Sequence, residues 1–152
     1  MAPRITARIA EAAERLGLDR LGTAVMSLAA APEIDPRFGR LFAYLNDDAD
    51  KRLATPRLLG ALLSGEGVSV SDVLACLSPT SPLLTRGALR FVEASGPAVD
   101  RPVVVAARLA GFLLGAPYWD PRNCSEGNEP ARRGGADPEL ARAGHHLPAL
   151  TP

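Results

Sequence analysis

Residues 83–115 read LLTRGALRFVEASGPAVDRPVVVAARLAGFLLG, and within them the hydrophobic period changes. Ala88, Leu89, Arg90, Phe91 and Val92 partly alternate, which suits a half-buried strand. Ser95-Gly96-Pro97 makes a turn, and Arg101-Pro102-Val103-Val104-Val105 is a second, β-branched run. The two runs predict a hairpin whose connection is too long for a two-residue turn. Leu109, Phe112 and Leu113 then return to helical spacing. Everything N-terminal to this stretch reads as helix, so the expected fold is mainly α with a small β-hairpin, an α+β class.

Working outward, residues 2–16 place Ile5, Ile9, Ala12, Ala13 and Leu16 at helical spacing, and Gly17 ends that helix. Residues 18–31 carry the stripe Leu18, Leu21, Val25 and Leu28, and Pro32 is expected to stop it. Asp35-Pro36 pairs a good N-cap with a proline suited to the first helical position. In the helix it opens, Phe38, Leu41, Phe42 and Leu45 are expected to form the buried face, with Arg37, Arg40 and Tyr44 elsewhere on the wheel. Thr55-Pro56 repeats the start signal before a leucine-rich helix at 57–64. Gly65-Glu66-Gly67 breaks the chain, and Ser71-Asp72 is expected to cap a further short helix through Leu77.

From Ala116 onward no period survives. Pro117, Pro121, Pro130, Pro138, Pro148 and Pro152 recur irregularly, and Arg132-Arg133-Gly134-Gly135 is a charged, glycine-rich patch. Such a segment buries too little apolar surface to offset its ordering entropy. Residues 117–152 are therefore expected to be a flexible linker or disordered tail, with a helical turn or two at most at 137–143.

Lysine plus arginine equals aspartate plus glutamate, 17 of each, so the net charge is zero. That balance removes the usual electrostatic case for a nucleic-acid or membrane-surface protein. It also leaves little repulsion between copies of the chain. Cys76 sits in an apolar run and reads as a small core residue, while Cys124 lies in a polar stretch. Two cysteines build no disulfide framework, and the expected compartment is the reducing cytoplasm. The longest apolar run, residues 103–114, is interrupted by Arg108, so no membrane span is expected.

The motifs of common catalysis are missing. The single lysine, Lys51, is not preceded by the glycines of a phosphate-binding loop. Asn46-Asp47-Asp48 lacks the spacing of a calcium loop. Both histidines, His145 and His146, fall in the tail, which leaves no base for a serine or cysteine nucleophile in the folded part. Neither an enzyme activity, a metal site nor a cofactor is expected.

Residues 26–48, MSLAAAPEIDPRFGRLFAYLNDD, carry a resemblance. With Thr55-Pro56, the segment LSPTSPLL at 77–84, Arg101-Pro102-Val103 and Phe112-Leu113-Leu114-Gly115, they resemble the winged-helix domain found N-terminal to the ATPase module of a group of bacterial AAA-type ATPases. The likeness spans roughly residues 18–115. It implies an N-terminal helix at 1–17, a winged-helix domain at 18–116 and the tail at 117–152. It further implies a non-catalytic adaptor binding a protein partner, such as an AAA ATPase or a contractile injection system component. The ATPase module itself is absent, and no nucleotide-binding residue carries over.

For that adaptor the candidate contacts are Arg37, Arg40, Tyr44 and Arg57, since arginine and tyrosine favour interface centres. The alternative is DNA binding through the helix at 57–64, with Arg57, Arg86 and Arg90 on phosphates. Residues 1–116 hold 13 basic and 12 acidic side chains, so binding that neutralises many phosphates should be weak.

Overall fold

The computed structural model describes residues 2–123. Cys124, both histidines, the arginine-glycine patch and the expected turn at 137–143 lie outside the described residues. Among the described residues, seven helices and one two-stranded antiparallel sheet form an α+β arrangement dominated by helix.

Helix α1 (Ala2–Leu16) ends at Gly17, whose φ of +66° is the left-handed conformation that favours glycine. Helix α2 (Arg20–Ile34) starts one residue after Asp19, whose carboxylate accepts the Gly22 N–H at 2.7 Å. Pro32 does not stop α2, contrary to expectation. It sits in the last turn, where it removes one N–H while the Asp35 N–H still closes on the Ala31 carbonyl at 3.0 Å. Helix α3 (Pro36–Leu45) opens at Asp35 as expected.

Helix α4 (Pro56–Leu63) is capped by the Thr55 hydroxyl and continues into a 3-10 turn, Ser64–Glu66. The next cap is Ser69 rather than Ser71. Ser69 and Asp72 bond each other's backbone N–H reciprocally, a capping box that fixes the start of α5 (Val70–Cys76). A single turn, α6 (Pro82–Thr85), precedes the expected strand, because Ser81-Pro82 is again a cap followed by proline.

Strand β1 (Leu89–Phe91) pairs antiparallel with β2 (Val103–Val105), Leu89 opposite Val105 and Phe91 opposite Val103. Ala54 adds a bridge on the far side of β2, its carbonyl accepting the Val103 N–H at 2.8 Å. Helix α7 (Ala107–Leu114) follows, and a 3-10 turn at Pro121–Asn123 ends the described chain.

One core joins these elements, with Leu16, Met26, Phe42, Leu59, Leu89 and Leu113 almost wholly buried. It also takes in Trp119, beyond the point where the sequence loses its period. The Trp119 ring lies 5.7 Å from that of Phe112, and the Arg15 guanidinium donates to the Trp119 carbonyl at 2.6 Å. Arg8 donates to the Phe112 and Ala116 carbonyls at the C-terminus of α7, where a cation is also favoured by the helix dipole. Helix α1 is thereby tied to the end of the described chain.

Candidate partner-binding face

Helix α3 meets the rest of the molecule through Gly39 and Phe42, its only buried residues. The expected buried face therefore needs correction. Phe38, Leu41 and Leu45 are 41%, 46% and 45% exposed, and only Phe42 of the four turns into the core. The physical reason lies in where the small side chain falls. Gly39 faces the Arg52 backbone, and with Gly39 and Phe42 on the inner side of the helix the three larger side chains lie off the core.

Both ends of this helix are firmly set. The Asp35 carboxylate accepts the Arg37 backbone N–H at 2.9 Å and pairs with the Arg37 guanidinium at 2.7 Å. The guanidinium, and after it the backbone N–H, holds the Asp35 carboxyl below its ordinary range. At the other end the Asn46 amide donates to the Phe42 carbonyl at 2.8 Å. Tyr44, at 81% exposure, stands beside the apolar row.

The residues singled out from sequence are all on the surface, but they do not form one cluster. Arg37, Arg40 and Tyr44 share α3. Arg57 begins α4, and its guanidinium makes a two-point pair with Asp100 in the β1–β2 connection, at 2.7 and 3.1 Å. Arg57 thus fastens that connection to α4. The pair holds the Asp100 carboxyl low. Leu45 at the end of α3 and Arg57 line one open hollow of about 330 Å³ with Lys51 and Thr55. Arg86 follows α6 and Arg90 lies mid-way along β1, both exposed. What sequence reasoning missed is that Phe38, Leu41 and Leu45 face outward. Gly39, a small residue on the inner side, was the one sequence signal for it.

The helix offered as the DNA reader in the alternative is α4. In a helix-turn-helix the second helix reads bases. Here the pair packed before the hairpin is α4 and α5, so the reading position falls to α5 and not to the helix beginning at Arg57. Its exposed residues are Ser71, Asp72 and Ala75, with no base among them. The β1–β2 connection, residues 92–102, adds Glu93 and Asp100 against Arg101 alone.

A helix-turn-helix followed by a long-looped hairpin, with a third strand position bridged to its second strand, defines a winged helix. The chain belongs to that class in a specific form: a family model described as "Winged helix domain, variant" matches residues 1–122. Neither a curated protein nor a solved structure matches the chain. Winged helices are in general non-catalytic. Among the described residues no three His, Cys, Asp or Glu side chains are grouped to hold a metal ion. No single described helix is long and apolar enough to cross a membrane.

Proposed function

We propose that this chain is a non-catalytic adaptor that makes protein contacts through the outer face of α3. The observation that carries this reading is the row Phe38, Leu41 and Leu45, uncovered on a helix whose ends are both capped. An apolar row flanked by Tyr44, Arg37 and Arg40 has the composition of an interface centre. The wider setting, an AAA-type ATPase or a contractile injection system component as partner, is proposed on the sequence resemblance alone.

DNA binding is the competing reading for any winged helix. The acidic character of α5 and of the β1–β2 connection weighs against it, because base reading wants Arg, Asn, Gln or Lys and phosphate contact wants a basic surface. A salt titration of duplex DNA, followed by fluorescence anisotropy on the full chain, separates the two. The expected result is no saturable binding at about 50 mM salt, where electrostatic binding is strong. Tight binding with a steep salt slope would replace the adaptor reading with a DNA-binding one.

A further inference from the structure

Helix α1 buries little of itself. Of its 15 residues only Ala12, Ala13 and Leu16 are buried, and two of those are alanines. Apolar burial on that scale stabilises weakly, so the docking of α1 leans on its polar contacts. Those contacts converge on one segment, residues 112–119. The Arg8 guanidinium donates to the Phe112 and Ala116 carbonyls at 2.5 and 2.6 Å, and that of Arg15 to the Trp119 carbonyl at 2.6 Å. The same two guanidiniums lie 4.8 and 5.6 Å from the centre of the Phe112 ring, and the Trp119 ring adds to its cover.

The rest of the core is held together without α1. Helix α2 packs on α3, α5, α7 and β2, and α4 packs on α5. Phe42, Leu59, Val73 and Leu89 are buried on those elements. Along the chain α1 joins this body through the short turn 17–19, where Gly17 takes its left-handed conformation.

We propose that α1 and residues 116–120 form a strap, one cooperative unit that opens and closes as a whole while the body from α2 to α7 stays folded. Lifting α1 takes away the arginines that hold the Ala116 and Trp119 carbonyls. Unseating Trp119 takes the acceptor from Arg15 and opens the stack on Phe112. Each half is the other's support. A unit with few buried apolar contacts opens at a lower free energy than the whole domain. The coupling is reciprocal, so binding on α1, or on the chain that continues past residue 120, shifts the other half as well. The strap is thus a conformational switch that joins the two ends of the domain, and its opening bares the Phe112 ring. It uses no residue of the α3 face.

Trp119 is the single tryptophan of the chain, so acrylamide quenching of its fluorescence reads one half of the strap. Hydrogen exchange of residues 2–16, followed by mass spectrometry, reads the other. In the full chain the α1 amides should exchange faster than those of α4 and α5. Arg8→Ala should speed α1 exchange about ten-fold, the weight of a charge-assisted hydrogen bond, and raise the quenching of Trp119 with it. Trp119→Ala should speed α1 exchange at least as much and leave α4 and α5 unchanged. Tyr118→Ala, at an exposed neighbour, should change neither. The proposal is overturned if α1 exchanges in step with α4 and α5, or if Trp119→Ala leaves α1 exchange as it was. Faster α1 exchange in Arg8→Ala without added quenching also overturns it, as does a Trp119→Ala chain that unfolds throughout.

Discussion

Cys76 lies half-buried in α5, and burial, followed by the nearby negative charge of Asp19, pushes its thiol up to about 11. Since the thiolate is the nucleophile, its fraction at pH 8 falls by about two orders of magnitude against a thiol of ordinary pKa. Iodoacetamide should therefore label Cys76 at pH 8 at least ten-fold more slowly in the folded Cys124→Ser variant than in the same chain unfolded. Equal rates would place the thiol in water. At this scale the sequence was legible where partners are neighbours. Asp35-Pro36 and Thr55-Pro56 announced their helices because a cap acts two or three residues away. The Arg57–Asp100 pair was not legible, because its halves are 43 residues apart and only the fold brings them together. Arg57 was read only as a candidate contact, and its pairing with Asp100 is what the fold adds.

Helices α4 and α5 meet at Gly60. A Cβ added there would lie 2.5 Å from the Val70 Cγ2 and 3.0 Å from its Cα, so one helix would have to move. Gly60→Ala should destabilise the domain by about 1–2 kcal/mol, the overpacking cost outweighing the gain in helix propensity. Urea unfolding monitored by circular dichroism measures this, and a stabilised variant would show that the helices can part without cost. Helix α3 teaches the limit of periodicity. The spacing of Phe38, Leu41, Phe42 and Leu45 established that an apolar stripe exists. It did not establish which edge of the stripe meets the core, which depends on how α3 packs in the fold, with Gly39 and Phe42 inward. The candidate site was hidden by that ambiguity, since its residues had been assigned inward. The hairpin was legible in existence and position, because a β-branched run has few other uses, while the single turn α6 before it was not.

For the whole molecule, the loss of pattern after Ala116 invites a boundary there, yet Trp119 is 2% exposed and stacked near Phe112. Period counts repeated positions, and a lone aromatic that anchors a chain end has no repeat to count. A fragment of residues 1–123 should be more stable than one of residues 1–116 by about 3–5 kcal/mol, the usual cost of deleting a buried tryptophan. Comparing the two by chemical denaturation checks this. Equal stability would mean that Trp119 contributes nothing to the core.

The tie between α1 and the end of α7 also bears on the order in which the protein is made. Arg8 waits for the Phe112 carbonyl, 104 residues further along the chain. At the ~5–20 residues per second of synthesis, α1 exists for about 5–20 s before its anchoring carbonyls do. During that interval α1 has α2 to pack against but not α7. Of the described helices α1 is thus made before all the others, yet part of its packing has to wait for the last of them, α7.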